Sequence, residues 1–431
     1  MTHRSRFFIA CVTLFPLATL VPASAQTESV VVEFQDNSIS GEYPIGALAS
    51  AADGTLYGTT TGGLDGGTIF KLTPQGGALK YTLLYSFSNP EEGFSPSGCL
   101  ALGRTGKIYG TTQGANESGS TGVVYELIPP VKPGSPWTES VLYTFSGGAD
   151  GGQPVNGVIA DSTGKLYGTT RVGGKYGYGT IFRLSPPAQP GGVWTETVLY
   201  SFQLQEESGF PDPTGLTLQN GSLYGATSAI TKYNDGVIFQ LSPPTGGQGE
   251  WKLKVLYSFT GGADGAQPSG SPVFDSTGAL YGTALEGGGF GIGAIYKLSP
   301  PGASGGAWTE SVLYSFQSSG AGDGYFPVGT PAFDDTGAIY GVTESGGIES
   351  CGGNETGCGI AYKLRPPASP GGNWTEQVLH AFTDGSDGNN PQAGATVVGT
   401  TVYGTTIWGG TGVCQIPEGT VGCGTVFQIT Q

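Results

Sequence analysis

Charge is scarce in this chain. Only 12% of its 431 residues are charged, 17 Lys+Arg against 33 Asp+Glu, and there are two histidines and one methionine. With 79 glycines and 29 prolines besides, little material remains from which amphipathic helices form. A formal charge of −16 repels a phosphate backbone and excludes nucleic acid as a partner. Histidine is represented only by His3 and His380, so neither a Ser-His-Asp triad nor a histidine-rich metal site has its parts. Long apolar runs are also missing. The one present, Phe7 to Val21, follows Arg4 and Arg6 and ends at Ala23-Ser24-Ala25, the pattern of a cleaved secretory signal over residues 1–25. A retained anchor is the other reading, which the shortness of the run and Pro16 oppose. Loss of Arg4 and Arg6 takes the charge from −16 to −18 for residues 26–431. That acidity serves solubility, or attracts cations.

Five cysteines lie beyond the signal. Cys351/Cys358 and Cys414/Cys423 each bracket a short insertion at one place in two successive repeats, which in an exported chain reads as two loop disulfides. A metal site is the competing reading. Cys99 stands alone in an apolar stretch and is expected to be a buried small residue.

What the chain has in abundance is repetition. The step Tyr-Gly recurs at Tyr57, Tyr109, Tyr167, Tyr224, Tyr281, Tyr340 and Tyr403, and around it stand Leu56-Tyr57-Gly58-Thr59-Thr60 and Gly67-Thr68-Ile69-Phe70-Lys71-Leu72. Each repeat reads as four short strands rich in β-branched and aromatic residues and punctuated by Gly, Pro and Asp. The last repeat stops at its third strand, Gly424 to Ile429. The missing fourth is found at the other end as Val30-Val31-Val32-Glu33-Phe34, which matches Val255-Leu256-Tyr257-Ser258-Phe259. The expectation is therefore an all-β chain over residues 26–431: a seven-bladed β-propeller of four-stranded antiparallel blades, closed by the N-terminal strand. An extended array of hairpins is the alternative.

These letters, LYGTT, a Gly-Gly pair and GTIFKL in tandem behind a signal, resemble those of the GloVer-type tandem-repeat proteins of bacteria. The resemblance implies an extracellular protein and carries over no catalytic residues. Members often end in an anchoring segment; this chain ends at Gln431 without one, so a freely secreted or periplasmic monomer is expected.

Repeat comparison sorts the candidate residues. Asp335-Thr336-Gly337 looks like an aspartic-protease triplet, but its counterpart Asp161-Ser162-Thr163-Gly164 marks it as a hairpin turn. Gly302-Ala303-Ser304-Gly305-Gly306 mimics a nucleophile elbow without the strand-to-helix context. Trp137, Trp194, Trp251, Trp308 and Trp374 share one repeat position and are expected in the core, whereas Trp408 has no counterpart and is a ligand candidate. Strand alternation gathers the loops after the second and fourth strands on one face. That face carries Trp408, both cysteine loops, the turns around Asp150, Asp264, Asp323, Asp384 and Asp387, and the non-repeated Glu286, Glu344, Glu349, Glu355 and Glu418. Asp384-Gly385-Ser386-Asp387-Gly388 is the richest turn and the candidate Ca²⁺ site, with an ordinary Asp-Gly turn as the alternative. The function expected is a non-enzymatic binding or scaffold module that meets a glycan, a cationic partner or Ca²⁺. The alternative is a polysaccharide hydrolase or lyase using two of those carboxylates.

Overall fold

The computed structural model describes residues 26–431 except 36–40, 63–65, 90–92, 115–120, 190, 204–212, 232–233, 248, 303–305, 318–321, 349–350, 352–355, 370 and 417–418. The expected signal segment lies outside the described residues, as do Ala303-Ser304-Gly305.

The repeat unit is a four-stranded antiparallel meander. Gly152–Ala160, Leu166–Val172, Thr180–Ser185 and Thr195–Ser201 pair in chain order. Four separate four-stranded sheets have this form, a fifth takes its outer strand from the N-terminus, and one eight-stranded sheet consists of two such units joined by the single parallel bridge Gly157↔Cys99. Among the described residues there is no α-helix, as the shortage of Glu, Lys and Arg predicts.

The repeated letters have physical reasons. In the second strand Gly168 faces Phe182 of the third in register, and a Cβ there would lie 2.6 Å from Phe182 Cζ; Gly225 stands in the same relation to Phe239. Glycine lets the ring lie flat over the neighbouring strand. Two positions on, Thr170 Oγ1 accepts from the Thr180 backbone N–H (2.9 Å) and shares a hydrogen bond with Thr180 Oγ1 (3.0 Å), and Thr406 does the same for Thr425. Asp161 Oδ1 accepts from the Thr163 N–H and hydroxyl and from the Lys165 N–H, which fixes the hairpin. Asp334 does this for Asp334-Asp335-Thr336-Gly337, so the protease-like triplet is a turn whose organising carboxylate is Asp334.

Each cluster of buried side chains joins two consecutive sheets. At its centre an aromatic from the end of one fourth strand packs on the third-strand ring of the next sheet: Phe87 on Tyr125 (5.1 Å), Phe145 on Phe182 (5.1 Å), Phe259 on Tyr296 (5.0 Å), Phe316 on Tyr362 (5.2 Å) and Phe382 on Phe427 (5.0 Å). The five repeated tryptophans pack against these clusters, though less deeply than a core position implies. They are half-buried and cover the margins of these clusters, because each follows an exposed linker. Cys99 corrects the expectation of burial: it keeps an accessible surface, while the protein that surrounds it pushes its thiol pKa up.

The chain ends meet as strand counting predicts. Thr27–Glu33 pairs antiparallel with Thr425–Thr430, and its register shift between Val30 and Val32 lies opposite Phe427 and Val426, matching the shift of Thr195–Ser201 opposite Phe182 and Ile181. Phe34 packs on Phe70 of the first sheet (5.4 Å), and the Thr396 hydroxyl donates to the Leu48 carbonyl (2.7 Å).

Candidate functional site

Both cysteine pairs are disulfides, Cys351–Cys358 and Cys414–Cys423, with Cα separations of 5.6 and 5.2 Å. They fit an oxidising compartment, extracellular or periplasmic. No helix among the described residues is long and apolar enough to cross a membrane.

The second disulfide closes the hairpin Cys414–Ile416 and Gly419–Val421 beside Trp408. Trp408 follows the strand Thr401–Thr406 and is held by its backbone: it exchanges two hydrogen bonds with Asn389 (2.9 and 3.1 Å), and its carbonyl accepts from Thr406 Oγ1 (3.0 Å). A Cβ on the next residue, Gly409, would lie 2.5 Å from Gly388 Cα, so only glycine lets the two loops come together. The half-buried indole meets Tyr43 edge-on at 5.0 Å. What results is a cavity of about 520 Å³, lined by Asp384, Asn389, Asn390, Trp408, Val413, Thr420 and Val421 and by four glycines. Asp384 holds a left-handed conformation (φ 62°) and accepts a hydrogen bond from Asn389 Nδ2 (2.9 Å).

Two residues picked from sequence, Trp408 and Asp384, thus share one pocket. The others do not join them. Glu344 lines a separate cavity of about 490 Å³, to which the other sheets also contribute, among them Ile45, Gln113, Arg171, Gln267 and Gln392. Burial pushes its carboxyl pKa up. Glu286 is exposed at the end of its strand. Glu349, Glu355 and Glu418 lie outside the described residues. Sequence reasoning missed Asn389 and Asn390, although a signal existed: Gly388-Asn389-Asn390-Pro391 stands where other repeats have Gly151-Gly152-Gln153-Pro154 and Gly265-Ala266-Gln267-Pro268.

In the turn expected as a Ca²⁺ site, Asp387 is engaged by hydrogen bonds within the protein. Asp387 accepts from the Thr383 N–H (3.0 Å) and hydroxyl (2.5 Å) and lies 2.9 Å from His380 Nε2, leaving its oxygens engaged within the protein. Asp150, Asp264 and Asp323 sit in the same frame, with Tyr143, Tyr257 and Tyr314 donating where His380 stands (3.0, 2.9 and 2.8 Å). No group of three or more His, Cys, Asp or Glu able to hold a metal occurs among the described residues. Against the opposing pull of burial, the hydrogen bonds hold the Asp150 and Asp387 pKa values below the usual range.

A glutamate on the fourth strand of the following sheet faces each of these aspartates. Burial first, then the facing Asp150, Asp264 or Asp323, pushes Glu196, Glu310 and Glu376 up to about 7. Their Oε1 atoms, and that of Glu28 on the N-terminal strand, are buried without a hydrogen-bond partner.

These features define an all-β protein assembled from repeated four-stranded sheets with a propeller-like fold. The chain belongs to the Gloeobacter/Verrucomicrobia repeat family, whose pattern matches residues 13–186, 66–263 and 115–354 in overlapping copies. Among solved structures it is similar to a polysaccharide lyase of the ulvan lyase family, with 12% identity, 92% of this chain and 95% of that one covered, and a TM-score of 0.50. It is also similar to the PQQ-bound aldose sugar dehydrogenase of Streptomyces coelicolor (13% identity, 95% and 99% covered, TM-score 0.43) and to the calcium-binding regucalcin of Agrobacterium tumefaciens (16% identity, 74% and 85% covered, TM-score 0.37). No curated protein matches the chain in sequence.

Proposed function

We propose that residues 26–431 form one closed seven-bladed propeller, exported after loss of residues 1–25, that acts as a monomeric, non-enzymatic glycan-binding module through the Trp408 pocket. The observation that carries this reading is the meeting of the unrepeated Trp408 with Asp384, Asn389 and Asn390 in one cavity of about 520 Å³. An indole offers its face to the C–H side of a pyranose, while a carboxylate and amides hold hydroxyls by paired hydrogen bonds. The Asn389–Asp384 bond orients both groups before a ligand arrives, which lowers the ordering cost of binding. Uncharged hydroxyls also tolerate an acidic protein, where an anionic ligand is repelled. The polysaccharide lyase is bound to a polymer of GlcA and Rha3S, an anionic sugar chain, and so supports a carbohydrate ligand in general, while the preference for neutral sugars rests on the acidity of this chain.

Hydrolysis or lysis through two carboxylates has less support. The Trp408 pocket and the cavity at Glu344 each present one carboxylate among their described lining residues, and glycosidic cleavage uses two at about 5–10 Å.

A glycan array probed with the mature protein tests the reading. Binding to a defined set of neutral oligosaccharides is expected, with Trp408→Ala and Asp384→Asn each weakening it at least about tenfold, as loss of a central aromatic or charged hydrogen-bond partner does. An empty array, or Trp408→Ala binding as tightly as the parent, overturns it.

A further inference from the structure

Three of the chain's 17 Lys+Arg, namely Lys165, Lys175 and Arg183, line one groove of about 700 Å³. It lies between Thr195–Ser201, the outer strand of one unit, and the linker of the next that carries Pro243, Pro244 and Trp251. Tyr176, Tyr200 and Trp251 supply its aromatic surface, and Glu250 is the one carboxylate among its described lining residues.

Comparison of the units shows what is unusual here. In the preceding unit the places of Lys165 and Arg183 are taken by Lys107 and Glu126, which meet at 2.8 Å. Side chains at these two places therefore reach each other, and in this unit both are cations. The five remaining units hold at most one cation there, Lys71, Lys297 or Lys363. Among the described residues none of Lys165, Lys175 and Arg183 forms an ion pair. The turn carboxylate Asp161 is taken up by Thr163, the Lys165 N–H and the Tyr167 hydroxyl. Arg183 Nη2 donates to Thr197 Oγ1 (3.4 Å), while its Nε is buried without a partner. Two half-buried cations with no counter-ion repel each other and have lost part of their hydration, and an anion placed between them offsets both costs.

We propose that this groove binds an acidic oligosaccharide, one bearing carboxylate or sulfate groups, with one anionic group between Lys165 and Arg183 and another at Lys175. Arg183 is in register with Thr197, and the Lys175 N–H donates to Ser201 Oγ (3.2 Å), so the two cationic ends stand four strand residues apart, about 13 Å. A lone sulfate or phosphate reaches one end only; a chain of sugars reaches both. Along the groove the exposed Tyr176, with Tyr200 and Trp251, offers flat apolar surface to the C–H faces of pyranose rings, for which a chain of phosphates has no use. The acidity of the whole chain does not oppose this. At physiological ionic strength the charges within about 8 Å dominate, and the groove's described lining holds three cations against one carboxylate. The site shares no lining residue with the Trp408 pocket, and the inference stands apart from that pocket's reading.

Isothermal titration of the folded mature protein at low salt tests the groove, with oligogalacturonate and a sulfated carrageenan oligosaccharide as probes and poly-glutamate and polyphosphate as controls. At least one acidic oligosaccharide is expected to bind, with an affinity that falls as salt is added. Arg183→Glu, which copies the Lys107–Glu126 pair of the preceding unit, is expected to weaken binding at least about tenfold, as loss of one member of a charged contact does. Lys175→Gln is expected to weaken it severalfold, and Trp408→Ala to leave it unchanged. Absence of binding by both sugars, undiminished affinity in Arg183→Glu, or loss of binding in Trp408→Ala overturns the proposal. So does poly-glutamate or polyphosphate binding as tightly as the sugars, which makes the groove a general anion site. If Arg183→Glu does not fold, the double variant Lys165→Gln, Arg183→Gln removes both charges, and full affinity in it is equally fatal.

Discussion

Glycine at the centre of the repeated LYGTT strand is a packing residue. Gly168 lies beneath the ring of Phe182, and a methyl group there would have to displace a fully buried aromatic that is also held by Phe145. Gly168→Ala is expected to destabilise the protein by about 1–3 kcal/mol, the usual cost of overpacking, even though alanine suits a strand no worse than glycine. Urea denaturation measures it, and an unchanged midpoint would show that the ring moves aside freely. By contrast, Gly164 and Gly278, at the tips of the Asp-turns, would meet nothing with an added Cβ, and their need for glycine rests on positive φ (84° and 85°). The two kinds of glycine look alike in the sequence and differ in cause.

Between elements, around the aromatic clusters, carboxyl stands against carboxyl at three junctions of adjoining sheets. Burial and the facing aspartate push Glu196, Glu310 and Glu376 from the ordinary 4.5 up to about 7, so the folded state binds protons more tightly than the unfolded chain does. Their contribution to stability is fully present below about pH 4.5 and is lost as the pH rises through about 7. Aspartates act with the opposite sign: Asp334, held at about 2 by Thr336, Tyr340 and backbone N–H groups against the pull of burial, supports the fold above 3.8 and ceases to do so toward pH 2. The melting temperature is therefore expected to peak in mildly acid solution and to decline toward neutrality. The triple variant Glu196→Gln, Glu310→Gln, Glu376→Gln should flatten the decline, and an identical profile in parent and variant would remove these residues as its cause. These junctions were not legible in sequence. Thr195-Glu196-Thr197 reads as an ordinary strand with its glutamate in solvent, and only the stacking of one sheet on the next buries that side chain.

On the scale of the whole molecule, what was legible is what repeats or conspicuously fails to repeat. Seven Tyr-Gly steps and a displaced fourth strand lead to the pairing of Thr27–Glu33 with Thr425–Thr430. Trp408 stood out as a tryptophan without copies and does line a pocket. Glu286 and Glu344 stood out equally and lie apart from it, because membership of one face does not say which loops touch; that depends on close approaches such as Gly388 against Gly409. If the first strand closes a ring, removing residues 27–36 exposes the edge of Thr425–Thr430 and takes Phe34 from its place against Phe70. A loss of at least about 3 kcal/mol is expected from the buried aromatic alone, read as a lowered melting temperature of the entire domain. An unaltered transition would mean that the sheets stand without closure.

One short turn belongs to two parts of the molecule. Within Asp384-Gly385-Ser386-Asp387-Gly388, the first carboxylate lines the Trp408 pocket while the second lies against His380 and faces Glu28. Its backbone is closed on itself by the Asp384 N–H bonding to the Gly388 carbonyl (3.1 Å). If the Trp408 pocket takes a sugar as proposed, a ligand that displaces Asp384 therefore pulls on the same five-residue turn that carries Asp387 and its contact with His380. By reciprocity, whatever shifts Asp387 in that turn would be felt in the affinity of the pocket.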